Sequence, residues 1–260
     1  RPWRDGGASL RSIIKFPVTL PEFTGYKSPM KLILLALPFI AVVTATGADA
    51  TKPPHPKNPD GITKPTAADT LKLTIYADNW FVLFVNGKLR VIDPIDFLPH
   101  NVVTVDILPE YPMTIAVMAK DNANAQTGLE YGNHMGDGGF ILKFSDGTVT
   151  NASWKAKCYF KGPLNRDIAH PTVTHSPLPE NWYEVDFDDH DWASATEFTI
   201  DQVNPKESYY QADFKGAKFI WSEDIELDNT VIFRTRIQAP AGYKRRWNTQ
   251  PELDSSLPCQ

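Results

Sequence analysis

One hairpin signature constrains this chain more than any other feature. The run Trp80-Phe81-Val82-Leu83-Phe84-Val85 is continuously apolar and aromatic, and Asn86-Gly87 follows it directly. Type I′ turns need positive φ at both central positions, which Asn and Gly accept, so Asn-Gly after such a run marks a two-residue hairpin. The run itself predicts a central strand covered on both faces, and Lys88 to Ile92 then returns along it. Just upstream, Leu71, Leu73 and Ile75 alternate with Lys72, Thr74 and Tyr76, which predicts a strand with one wet face.

The same period continues down the chain. Val102 to Leu108 and Met113 to Ala119 read as strands, as does the segment carrying Phe140, Leu142 and Phe144, which ends at the turn Asp146-Gly147. Lys218 to Trp221 and Val231 to Ile237 follow, with Val231, Phe233 and Ile237 facing one way and Arg234 and Arg236 the other. No stretch sustains a helical period. Pro, at 22 residues, outnumbers Gly at 15, and 42% of the chain is apolar. Many short strands separated by turn signals, with enough apolar material for a core, predict an all-β antiparallel sandwich over residues 70–238. Between Cys158 and Ala217 no confident strand is visible, and a structureless loop that long is unusual in a compact domain. Trp182, Phe187 and Trp192 are expected to tie it onto the sandwich.

Ahead of the ladder, Met30-Lys31 opens the apolar run Leu32 to Val43, and Ala48-Asp49-Ala50 closes it with small residues. A charged start, a short apolar stretch and an A-x-A exit are the layout of a cleavable secretion signal. The run is shorter than the roughly 20 residues that cross a bilayer, so no membrane span is expected in the mature chain. The expected layout is therefore residues 1–29 as upstream, non-mature sequence, 30–50 as signal peptide, 51–69 as a Pro-rich linker, and 239–260 as a polar tail. If the apolar arm is retained, it is of the kind that inserts into a neighbouring subunit as a donated strand.

Four segments together resemble a known family. They are Ala77 to Lys88, with its Asp-Asn-aromatic start and Asn-Gly end; Met113-Thr114-Ile115-Ala116-Val117-Met118-Ala119; Trp182 to Trp192, with its Phe-Asp-Asp core; and Ala217 to Trp221 followed by Val231-Ile232-Phe233-Arg234. This set is similar to the galactose-binding-like jelly rolls appended to secreted rhamnosidases and β-galactosidases. It implies a jelly-roll sandwich. The order differs from the enzyme-linked pattern, in which the Trp-Ile-Trp and Phe-Arg strands commonly precede the Asn-Gly hairpin. The shared positions are core and turn residues, so the resemblance bears on fold more than on a ligand.

Signatures of serine hydrolases, zincins, phosphate loops and EF-hands are absent from the sequence, and no catalytic residue is assigned. Gly132, Gly136, Gly138 and Gly139 read as a flexible surface loop, since no helix pattern follows to aim N–H groups at a phosphate. Asp186, Asp188, Asp189 and Asp191 offer the oxygen ligands calcium prefers, but their interleaved aromatics point to a packed turn; no metal and no cofactor are assigned. A glycosidase pair would need carboxylates held farther apart than such close neighbours. Sugar sites combine aromatic faces with multivalent polar groups, which singles out Asp78 and Asn79 at the hairpin start and Tyr131 and Asn133 in the long loop as carbohydrate-binding candidates. His134 and His190 read as solvated, and Trp80 as core. Asn151-Ala152-Ser153 is an N-glycosylation sequon. In an oxidising compartment Cys158 and Cys259 are expected to pair, within the chain or between subunits.

The formal charge is −5 with no long basic run, which argues against nucleic acid as a partner. The sequence thus predicts a secreted, extracellular, non-catalytic β-sandwich acting as a structural or assembly subunit of a filament or surface, with itself or other extracellular subunits as partners. The alternatives are a carbohydrate-binding module, with glycans as partners, and an accessory domain of a truncated glycoside hydrolase.

Overall fold

A computed structural model describes residues 52–56, 58–96 and 100–250. The expected signal segment, the stretch before it and Cys259 lie outside the described residues. Twelve strands follow in chain order: β1 (Leu71–Asp78), β2 (Trp80–Val85), β3 (Lys88–Ile92), β4 (Val102–Ile107), β5 (Met113–Lys120), β6 (Gly139–Phe144), β7 (Lys155–Lys161), β8 (Thr174–His175), β9 (Ala193–Ser194), β10 (Thr196–Phe198), β11 (Phe219–Trp221) and β12 (Asp228–Ile237). Between β10 and β11 lie two single-turn helices, α1 (Ile200–Val203) and α2 (Glu207–Tyr210).

The strands form two antiparallel sheets, one in the order β10-β11-β6-β1-β4 and the other β3-β2-β5-β12-β7-β8, with β9 also pairing β7. The protein is therefore all-β, with two sheets facing each other as in a sandwich. Their facing sides supply one core. Leu73 and Ile75 of β1 and Phe140 and Leu142 of β6 come from one sheet; Phe81 and Leu83 of β2, Ile115 and Val117 of β5 and Phe233 of β12 come from the other, all fully buried. Phe140 stacks on Phe233 across the layer at 5.2 Å between ring centroids, and Trp221 sits 5.7 Å from the same ring. The Asn86-Gly87 turn has φ of 51° and 73°, the type I′ requirement that the sequence signalled.

The long excursion between β7 and β11 covers the outer faces of both sheets. On the β5–β12 face, Trp182 and Trp192 pack with Ala116, Met118, Tyr159 and Ile232, and Tyr183 and Phe187 join from the edge. Phe84 of β2 is edge-on to Trp182 and stacked on Tyr183. Burial of β2 thus alternates instead of being continuous: Phe81, Leu83 and Val85 are buried and Trp80, Val82 and Phe84 half-buried. Arg234, on the outward face of β12, is buried under this strap. It pairs with Asp189 at 2.7 Å, and its guanidinium also donates to the carbonyls of Trp182 and Glu184. A buried guanidinium with its donors spent on carboxylate and carbonyls is an anchor, because leaving it unpaired would cost several kcal/mol. On the opposite sheet, Val203, Phe214 and Tyr209 cover Tyr76, Ile141 and Phe219. Tyr76, expected on a wet face, is fully buried for this reason.

The stretch before β1 has no strand but is held in place. Asp69 receives the Thr66 N–H and hydroxyl at 2.8 Å each and pairs with His55 at 2.9 Å and Arg246 at 3.4 Å. Thr63 and Asn248 exchange hydrogen bonds, and Trp247 is buried. The described parts of the expected linker and polar tail, at opposite ends of the described chain, thus meet.

Candidate functional site

The sequence-selected residues do not form one site. Asp78 ends β1 with no exposure, 3.0 Å from His100 Nδ1; Asn79 is buried, its side-chain amide 2.8 Å from His100 Nε2. Neither presents a face to a ligand, because His100, distant in sequence, closes over both. Tyr131 and Asn133 are exposed in the tight 130–134 turn, where Glu130 and His134 exchange backbone hydrogen bonds of 2.9 and 3.0 Å. Asn151 is half-buried and its Oδ1 accepts the Ser153 N–H at 2.8 Å. Cys158 has no disulfide partner among the described residues, and its thiol donates to the Phe160 carbonyl. Burial, with Asp228 nearby, pushes its pKa up to about 12, so it is inert as a nucleophile at neutral pH.

The acidic run at 186–191 is dispersed among partners, with Asp188 on His190 at 2.8 Å, Asp189 on Arg234 and Asp191 on Lys157 at 3.9 Å. Its Trp192 is buried and Phe187 packs beside it, which is the packed turn the aromatics indicated.

Two other places carry chemistry that the linear sequence hides. The first is a groove of about 740 Å³ on the side where both sheets end, between edge strands β3 and β4. Leu89, Val105, Ile107 and Leu108 line it, with Trp247 and Thr249 at one end. Leu89 is 49% exposed, so this apolar surface faces solvent. Exposed Lys64, Lys88 and Arg90 supply positive charge around the groove; of its two acids, Asp106 is paired with Lys72 at 3.1 Å and Glu110 is exposed. The β2–β3 register shifts between Leu83 and Phe84, placing Arg90 as the extra residue of a bulge. A bulge and cations on an edge discourage simple ladder extension. Recognition here therefore falls to side chains more than to backbone pairing.

The second place is a cluster of carboxylates at one end of the sheets. Asp121 follows β5, its N–H bonded to the Asn229 carbonyl at 3.0 Å; Glu130 begins the tight turn; Asp137 precedes β6. One oxygen from each lies within 4.8 Å of the other two. Burial, then the negative charge of Glu130, Asp137 and Asp78, holds Asp121 well above the usual carboxylate range. Glu130 and Asp137 are raised as well, in each case first by burial. Among the described residues the one cation paired with this group is Lys206, which stands 3.6 Å from Asp137 and is more than a third exposed.

The glycines of this loop have specific reasons. A Cβ at Gly136 would overlap Asp121 Oδ2, and one at Gly138 would run into the Trp221 indole. Gly136, Gly138 and Gly139 are buried, so the second half of the stretch read as a flexible surface loop is instead packed onto the sheet end. The signal available in the sequence was the spacing of Gly136 and Gly138 around Asp137, which only the approach of Asp121 makes meaningful. Among the described residues no helix is long and apolar enough to cross a membrane. Set against family models, curated proteins and solved structures, the chain matches none.

Proposed function

We propose that this chain is a secreted, extracellular, non-catalytic β-sandwich of galactose-binding-like, jelly-roll type that serves as an assembly subunit. The observation that carries this reading is the apolar groove between β3 and β4, which Lys64, Lys88 and Arg90 flank. Its occupant is the acidic strap of a second copy. There, exposed Leu178 and Val185 are accompanied by Glu180 and Asp186, also exposed, on the segment that covers the outer face of β5 and β12. Apolar side chains flanked by carboxylates complement an apolar groove flanked by Lys64, Lys88 and Arg90. Because groove and strap are different surfaces, the contact is heterologous, and repetition gives a ring or an open filament.

Sedimentation velocity over a concentration series of the wild type and two charge-reversal variants tests this. The wild type is expected to self-associate; Lys88→Glu with Arg90→Glu, and Glu180→Lys with Asp186→Lys, are each expected to stay monomeric alone and to associate when mixed. A wild type that stays monomeric throughout, or two variants that associate as well as the wild type, would overturn the reading. Tyr131, 58% exposed beside Asn133, supports a second reading as a carbohydrate-binding module. A glycan array probed with the wild type and a Tyr131→Ala variant separates the two.

A further inference from the structure

We propose that Asp121, Glu130 and Asp137 form a binding site for a divalent cation, with calcium as the preferred ion. The other buried carboxylates of this protein are all compensated. Asp228 takes Ser222 Oγ and two backbone N–H groups on one oxygen and Lys161 on the other. Asp69 has Thr66, His55 and Arg246. Asp78 has His100, and Asp93 accepts the Ile95 N–H at 3.0 Å. Each is answered by a cation or by N–H donors, as burial requires.

Asp121 and Glu130 break that pattern. Each is only 7% exposed, yet among the described residues no N–H, hydroxyl or cation answers Asp121 Oδ2 or Glu130 Oε1, and the two carboxyls meet chiefly each other. Asp121 has one donor, the Asn122 N–H, on its other oxygen at 2.7 Å. A buried carboxyl oxygen without a donor is costly, and here two occur side by side with a third carboxylate in reach. Lys206 offsets at most one of the charges, from the outer side of Asp137. A divalent cation answers the remainder.

The donor set selects the ion. Three carboxylates and no nitrogen or sulfur ligand make a hard, all-oxygen site, which excludes a preference for zinc or copper. Calcium binds oxygens at about 2.3–2.6 Å, so ligands on opposite sides of it stand roughly 4.6–5.2 Å apart. Donor atoms all within 4.8 Å of one another fit that span. Magnesium dehydrates reluctantly, demands near-ideal octahedral geometry and is usually held by one or two carboxylates, so a set of three carboxylates favours calcium. Gly136 belongs to the same device, since only a residue without Cβ lets the backbone lie against Asp121 Oδ2. The ion would fasten the 130–137 loop to the end of β5, and so fix the exposed turn that carries Tyr131 and Asn133.

The test uses the full chain, freed of metal with a chelator and then titrated with calcium chloride or magnesium chloride at pH 7 by calorimetry and thermal melting. One calcium per chain is expected, bound more tightly than magnesium, with a melting temperature raised by about 5–10 °C at a hundredfold excess over Kd. Asp121→Asn and Glu130→Gln are each expected to weaken calcium by at least about tenfold, and both to melt above the wild type when metal is absent, because like charge has been removed. Asp137→Asn, at a half-exposed position, tests the site even if a buried variant fails to fold. No calcium heat and no shift in the melt would overturn the proposal. So would calcium binding undiminished in the three variants. Stabilisation of the metal-free Asp121→Asn variant in a protein that ignores calcium would also overturn it, and would assign the pair a shared proton instead.

Discussion

Asp121 and Asp228 are neighbours across the same ladder, where the N–H of Asp121 bonds to the carbonyl of Asn229. Both are buried carboxylates at the ends of long central strands, and their surroundings are opposite. Asp228 sits in a closed ring: Ser222 Oγ at 2.8 Å, the Glu223 and Asp224 N–H groups at 3.1 and 3.0 Å, and Lys161 at 3.0 Å. Asp121 faces Glu130 and Asp137, and among the described residues no cation answers its Oδ2 as Lys161 answers Asp228 Oδ1. Burial alone therefore does not tell a structural carboxylate from a functional one. What separates them is whether the chain itself supplies the compensating donors.

Three substitutions test this contrast. Asp228→Ala removes four interactions at once and leaves two N–H groups and a lysine without their acceptor, so it is expected to lower stability by about 3–5 kcal/mol in urea unfolding. A loss below about 1 kcal/mol would show that the ring is not what holds the β11–β12 turn. Gly136→Ala forces a methyl group into Asp121 Oδ2. It is expected to cost about 1–3 kcal/mol by overpacking and to remove any response to calcium. An unchanged calcium response would show that the close approach is incidental. Asp121→Asn is expected to act in the opposite direction, raising the stability of the metal-free protein by about 1 kcal/mol, because the raised carboxylate no longer has to hold a charge beside Glu130. A destabilisation of that size or more would place Asp121 in the same structural class as Asp228.

The strand ladder was legible because its signals are local. Alternation at Leu71, Leu73 and Ile75, the apolar Trp80–Val85 run and the Asn86-Gly87 turn each specify conformation within a few residues, and β1, β2 and β3 occupy those positions. The aromatics Trp182 and Trp192 were legible as anchors because buried indoles need a partner surface, which β5, β7 and β12 provide. Strand β7 was missed: Lys155-Ala156-Lys157-Cys158 alternates weakly, and its strand state comes from pairing with β12. Helices α1 and α2 are a single turn each, too short for a period to register. Arg234 was placed on the outward face, which is where it points, but its burial depends on Asp189, 45 residues earlier.

What the sequence determined by itself is the class of structure. Period two, a type I′ turn and the scarcity of helical repeats restrict the chain to antiparallel sheets, because side-chain direction along a strand is set by neighbouring residues. The company each charged group keeps is set instead by long-range packing. Asp121, Glu130 and Asp137 lie on three separate stretches, and nothing local marks them as a set. They meet because β5 pairs with β12 and β6 with β1, which carries the segment before β6 past the end of β5. By the same non-local route His100 closes over Asp78 and Asn79, turning two residues read as exposed ligands into buried ones. Electrostatic environment depends on distance in space, and in an all-β chain with long connections that distance is fixed by ladder register and not by separation along the chain.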